Sequence, residues 1–158
     1  MTEFAPPTPT ISFAFEARVL IGTPLDLGMV GGGRKRIVPI TGGRITGERF
    51  SGEVLPGGAD WQTLRPDNVL DVSARYTVRA DDGALVSIVN TGYRHGPADI
   101  LDQMAAGDMV DPALYYFRTT PRFEAPDDSR HAWLNQSVFV CSAARFSERV
   151  VLRFFFVE

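Results

Sequence analysis

Val69-Leu70-Asp71-Val72-Ser73-Ala74-Arg75-Tyr76-Thr77-Val78-Arg79-Ala80 decides the fold class. Side chains in a strand alternate between faces. Here Leu70, Val72, Ala74, Tyr76, Val78 and Ala80 fall on one side, and Asp71, Ser73, Arg75, Thr77 and Arg79 on the other. That two-residue period is the signature of a half-buried strand. Asp81-Asp82-Gly83 follows, with Gly83 free to supply the positive φ of a hairpin turn, and Ala84 to Gly92 returns as the partner strand.

The same period extends in both directions. Ile11 to Ile21 alternates Phe13, Phe15, Ala17 and Val19 against Ser12, Glu16 and Arg18, with a lapse at Ala14. Ile37 to Leu55 reads as two or three short strands broken by Gly42-Gly43, Gly47 and Gly52. Leu114 to Glu124, Ala132 to Cys141 and Arg149 to Val157 read as strands too. Only Pro97 to Ala106 departs, with Ile100, Leu101 and Met104 at helical spacing, Pro97 in the first turn and Gly107 at the stop. The last strand, with Val150, Leu152, Phe154 and Phe156 on one face, is too apolar for an exposed edge and reads as a closing stave. The pattern predicts an all-β fold: an antiparallel β-barrel, calycin- or lipocalin-like in general shape, with one short helix; a sandwich is the alternative.

Composition narrows the function classes. The chain has 158 residues, 44% of them hydrophobic and 22% charged, which suits one globular domain over 11–158. The Pro-rich leader, 1–10, is expected to be mobile and has no apolar signal core. A net charge of −3 offers no global field for nucleic acid or an anionic membrane, and Arg34-Lys35-Arg36 reads as a solvated loop. The single cysteine, Cys141, lies in an apolar stretch; with no export signal, it points to a reducing cytoplasm. Two distant histidines give no zinc spacing, although a carboxylate-rich magnesium or calcium site stays open. Nucleophile-elbow, P-loop and dinucleotide fingerprints are absent.

Polar and aromatic residues nonetheless cluster in strand-like segments. Tyr116, Arg118 and Glu124 share one face of an unbroken strand, and Trp133 and Asn135 share a face of the next. Such groups are an expensive filling for a core and a natural lining for a pocket. An Arg118–Glu124 ion pair across a wet lumen would account for those two charges alone. Gly57-Gly58-Ala59-Asp60-Trp61 reads as a loop that brings Asp60 and Trp61 to the barrel mouth, with Asp60 either a base or a partner of backbone amides. Gly92-Tyr93-Arg94-His95-Gly96 ends a strand, where Arg94 is placed to orient a carboxylate or an enolate oxygen and His95 to shuttle a proton. The plainer reading of His95 is an exposed loop residue, and it holds more strongly for His131.

Arg36-Ile37-Val38-Pro39-Ile40-Thr41-Gly42-Gly43, Gly57-Gly58-Ala59-Asp60-Trp61-Gln62, Ala74-Arg75-Tyr76-Thr77, Asp82-Gly83-Ala84-Leu85, Gly92-Tyr93-Arg94-His95-Gly96, Tyr115-Tyr116-Phe117-Arg118, Arg122-Phe123-Glu124 and Trp133-Leu134-Asn135 together resemble the domain of unknown function 3237 family, uncharacterised bacterial β-barrel proteins. The resemblance implies a compact β-barrel with a central cavity. Cys141 stands where the pattern has a small residue such as glycine.

The functional expectation is a cofactor-independent isomerase, cyclase or lyase acting on a carbonyl-bearing or aromatic metabolite. Asp60 or Glu124 is the base, Arg94 and Arg118 stabilise an oxyanion, Tyr116, Tyr76 and Asn135 position the substrate, and Trp61 and Trp133 form walls. A non-catalytic binding barrel uses the same residues. The partner is a small molecule, not nucleic acid or membrane; a homo-oligomer is left open, since the apolar last strand would also serve as an interface.

Overall fold

The computed structural model describes residues 3–158. Among them, ten strands and one α-helix run in the order β1 (Ile11–Ile21), β2 (Leu25–Val30), β3 (Gly33–Gly47), β4 (Gly52–Val54), β5 (Gly58–Leu64), β6 (Leu70–Ala80), β7 (Leu85–His95), α1 (Ala98–Ala105), β8 (Tyr116–Glu124), β9 (Phe139–Arg145) and β10 (Arg149–Val157). All pairings are antiparallel. The sheet closes because β1 pairs with both β10 and β3, while β4 and β5 share one position between β3 and β6. The result is a closed barrel of eight staves. The β2–β3 hairpin extends from its rim.

Closing a sheet this small requires sharp local bends. The Ala14 lapse in the sequence pattern is a bulge in β1, where the register shifts between Phe13 and Phe15 and leaves Phe13 outside. Gly43 has a φ of +131°, and a Cβ there would collide with the Arg18 carbonyl oxygen, so only glycine lets β3 bend against β1. Gly42-Gly43 is therefore a bend within β3 and not a break, while Gly47 and Gly52 do separate two strands, β3 and β4, as expected.

One end of the barrel is solid. Phe15 is 0% exposed and its ring lies 4.8 Å from Phe154, 5.3 Å from Phe50 and 5.7 Å from Phe123, centroid to centroid. Burying a side chain of this size stabilises the fold by roughly 1.5–3 kcal/mol, and edge-on ring pairs add about 0.5–1.5 kcal/mol. His131 seals this end, with Nε2 2.9 Å from Asp82 Oδ2 in the β6–β7 turn and its ring 5.4 Å from Phe50. It is buried, so the exposed-loop reading of His131 fails. α1 covers the opposite end; Pro97 precedes it as the N-cap and Gly107, at φ +87°, follows it.

Two segments differ from their expected structure. Arg34-Lys35-Arg36 is not a solvated loop but the start of β3, held by pairing with β2 and β5. Ala132–Gln136 is a 3-10 turn instead of a strand, and β9 begins only at Phe139. Its Leu134 plugs the core while the Asn135 amide brackets the Ala125 backbone, accepting from its N–H at 2.7 Å and donating to its C=O at 2.9 Å. Of the leader, Met1 and Thr2 lie outside the described residues; Glu3 to Pro9 are exposed without regular structure, and Thr10 already pairs with Glu158.

Candidate functional site

The polar groups of the lumen gather at the α1 end. Asp60 on β5 is in register with Val38 on β3 and Ala74 on β6, and Ala74 in turn with Asn90 on β7. Asp60 and Asn90 therefore face the lumen at one level, separated only by the methyl group of Ala74. Two residues along β5, Gln62 takes the same inward direction. Its Oε1 accepts from Arg36 Nε at 2.6 Å and its Nε2 donates to Asp60 Oδ2 at 2.7 Å. Because a guanidinium only donates, this chain fixes which way the Gln62 amide points. The Ser73 N–H donates to Asp60 Oδ1 at 2.8 Å.

Burial pushes the Asp60 carboxyl above the ordinary aspartate range, outweighing the Gln62 and Ser73 hydrogen bonds and the charges of Arg94 and Arg36, which pull it down. Arg94 is pushed down to about 10, by burial first and then by Arg36 and Arg145 nearby. Arg145 is lowered too, by burial first and then by Arg36. None of these three guanidiniums forms an ion pair among the described residues. The Arg145 backbone N–H donates to the Tyr115 hydroxyl at 3.0 Å, anchoring the end of β9.

Beneath this layer lies a cavity of about 50 Å³ bounded by Asp60, Gln62, Tyr76, Asn90, Thr119 and apolar side chains. Tyr76 Oη, Asn90 Oδ1 and Thr119 Oγ1 are buried at its wall without a hydrogen-bond partner among the described residues. Buried polar groups are ordinarily paired, and each one left unpaired costs about 1–3 kcal/mol. Three around one cavity mark a place shaped for something other than the protein's own atoms. Burial raises the Tyr76 hydroxyl, and raises the Cys141 thiol to about 12, so both stay protonated near neutrality. The Thr119 hydroxyl opposes the Cys141 rise from nearby, without the geometry of a hydrogen bond. Above the arginines, a basin of about 600 Å³ opens between the barrel rim and α1, walled by Leu64, Leu70, Leu101, Met104 and Phe146. Arg94 and Arg145 border both spaces and form the throat between them.

Of the residues the sequence singles out, the structure brings together Asp60, Arg94 and Tyr76. The others lie elsewhere. Tyr116, Arg118 and Glu124 do share a face of β8, but the outer one, because Phe117, Thr119, Pro121 and Phe123 take the inner positions. Tyr116 stacks on His95 at 4.7 Å and has the Arg118 guanidinium 5.5 Å from its ring, all on the exterior. Trp61 alternates with Asp60 and so points outward, 48% exposed. Trp133 packs against Phe139 at the solid end beneath the Arg49 guanidinium, and Asn135 is committed to the Ala125 backbone. Gln62, Asn90, Thr119, Arg36 and Arg145 were missed. The signal for three of them was present as polar residues at inward positions: Gln62 two after Asp60, Asn90 two after Ile88, Thr119 two after Phe117. No group of three His, Cys, Asp or Glu side chains disposed to hold a metal ion occurs among the described residues. No helix there is long and apolar enough to cross a membrane.

A closed antiparallel barrel with a solid base and a polar, arginine-rimmed mouth is the class of protein these observations define. The chain belongs to the family described as Protein of unknown function (DUF3237), whose model matches residues 9–157. It is 44% identical over 147 residues to a UPF0311 protein of Rhodopseudomonas palustris, covering 92% of this chain and 95% of that one. The crystal structure of a beta-barrel like protein from Acinetobacter baumannii is similar, with a TM-score of 0.85 and 36% identity over 99% of this chain and 100% of that one. The crystal structure of an enzyme from Penicillium herquei shares the fold, with a TM-score of 0.73 and 19% identity over 99% of this chain and 100% of that one.

Proposed function

We propose that the protein is a small-molecule enzyme of the isomerase, cyclase or lyase type that works by acid–base chemistry at the open end of the barrel, without a cofactor. One observation carries this reading: a half-buried carboxylate with a raised pKa, Asp60, adjoins unpaired polar atoms in a cavity reached from an open basin. Perturbed titratable groups in such clefts are how active sites are recognised from physics alone. Asp60 takes a proton from a carbon or hydroxyl of the substrate. Arg94, with Arg36 and Arg145 beside it, stabilises the oxygen on which charge develops. Asn90, Tyr76 and Thr119 orient the part of the substrate that enters the lumen.

Each donor aimed at developing charge lowers a barrier by about 3–4 kcal/mol, and a positioned base contributes roughly 10²–10⁴-fold. Those magnitudes suit an activated proton, such as one next to a carbonyl or on an aromatic hydroxyl. The inner cavity admits only a head group, so the body of the substrate occupies the basin, whose volume suits a small metabolite. The same fold carries a protein described as an enzyme in Penicillium herquei. We place the protein in the cytoplasm, with neither nucleic acid nor membrane as partner.

A carrier is the second reading. It is favoured by the fact that each Asp60 oxygen already accepts one hydrogen bond, from Gln62 or Ser73. A carboxylate oxygen keeps further acceptor capacity, which leaves room for a proton transfer. The test is turnover of a converted substrate by wild type and Asp60→Asn: the enzyme loses conversion in the variant while still binding. Unchanged turnover removes Asp60 from the mechanism.

A further inference from the structure

The site is polarised along its axis, and that polarity specifies a ligand. At the throat stand donors alone: the guanidiniums of Arg94 and Arg145, with Arg36 beside them on the basin side, none of them ion-paired among the described residues. Arg34, farther out on the rim, is already paired with Asp26. Asp102 and Asp108 line the basin from the α1 side, where they are exposed to solvent. Among the described residues Asp60 is then the one carboxylate near these three half-buried cations at the throat, which leaves an excess of positive charge there. The inner end has the opposite character. Asp60 accepts, and Asn90, 2% exposed, turns an unpaired Oδ1 into the cavity, so the atoms meeting these two donate, while the unpaired Tyr76 and Thr119 hydroxyls there can donate or accept. The rest of the inner cavity's wall is largely apolar: Val19, Val38, Val72, Phe117 and Leu152.

We infer that the ligand is a small organic acid whose carboxylate sits at the throat on Arg36, Arg94 and Arg145, while a hydroxyl or other hydrogen-bond donor of the same molecule enters the lumen toward Asp60 and Asn90. This rests on the proposed function for its location, and it adds the substrate class. Carboxylate recognition by forked guanidinium donors is the strong, geometrically selective kind of polar contact. The lowered affinity of Arg94 for its proton accords with crowded cations awaiting a counter-charge. The same placement sets the reacting atoms beside Asp60 and leaves the acid's charge where it assists an oxyanion's stabilisation.

Calorimetric titration tests it with three hydroxyaryl acids, 4-hydroxybenzoate, 4-hydroxyphenylacetate and 3-(4-hydroxyphenyl)propionate, each against its neutral carboxamide. The expected result is that at least one acid binds about ten- to a hundredfold more tightly than its amide, the range of a charge-assisted contact. Arg94→Gln and Arg145→Gln, made separately so that one misfolded variant leaves the other informative, each erase the acid's advantage over its amide. Equal binding of acid and amide, silence of all three acids, or a preference that survives both substitutions overturns the inference. Failure of the acid–base reading shows separately, as an Asp60→Asn variant that keeps both the preference for acids and full turnover.

Discussion

The two ends of this barrel share their staves and differ in what those staves turn inward. β7 contributes Val86 and Ile88 to the closed end, then Asn90 and Arg94 to the open one. β8 gives Phe123 below and Thr119 above. At the closed end five phenylalanines fill the lumen ring against ring. At the open end, hydrophobic residues give way to polar groups, three of which have no partner among the described residues. The closed end holds the fold together, and the open end leaves buried polar atoms unpaired.

Four predictions probe that contrast, from the largest effect down. Phe15→Ala, which empties the centre of the closed end, costs about 3–5 kcal/mol in urea-induced unfolding; a loss below 1 kcal/mol would show that the aromatic cluster is not the main support. Asp60→Asn, at the open end, lowers turnover by roughly 10²–10⁴-fold with folding intact, read by steady-state kinetics alongside circular dichroism. Asn90→Leu removes the unpaired carbonyl and is expected to stabilise the apo protein by about 1–3 kcal/mol while abolishing ligand binding. Loss of stability there would mean Asn90 Oδ1 is already satisfied.

The smallest effect is a difference in sign between two aspartates. Asp60 has a raised folded pKa, so the folded chain holds its proton more tightly than the unfolded one. Its contribution to stability is full below the ordinary value of about 3.9 and falls as pH climbs through the folded value. Asp82, at the closed end, is held below the ordinary range by His131 and then by the Ala84 N–H. Its contribution is present above about 3.9 and is lost as pH falls through the folded value. Thermal melts against pH for Asp60→Asn and Asp82→Asn should therefore flatten opposite limbs of the wild-type profile.

The fold was legible because alternation in β6, β7, β8 and β10 records which side of a wall is dry. The apolar last strand marked closure for the same reason. The site was half legible. Asp60, Arg94 and Tyr76 were found from residue type, but alternation tells that Tyr116, Arg118 and Glu124 share a face without telling which face is inside. Phe117 and Phe123 on the opposite side carried that information, and a wet lumen was preferred over them. Gly57-Gly58 suggested a loop, when Gly58 in fact begins β5, and this hid the inward pair Asp60 and Gln62. Arg36 and Arg145 meet only on closure of the barrel, from strands more than a hundred residues apart in the chain, so no local pattern links them. His131 is buried through contacts with Phe50 and Asp82 that depend on the same closure.

Titration of the Asp60 carboxyl carbon by ¹³C NMR, in wild type and in Arg94→Gln, tests the central claim most directly. A half-buried base at the open end predicts a midpoint above about 3.9 in wild type, and a still higher one once the neighbouring positive charge is gone. A midpoint at or below the ordinary value, unmoved by the substitution, would contradict it.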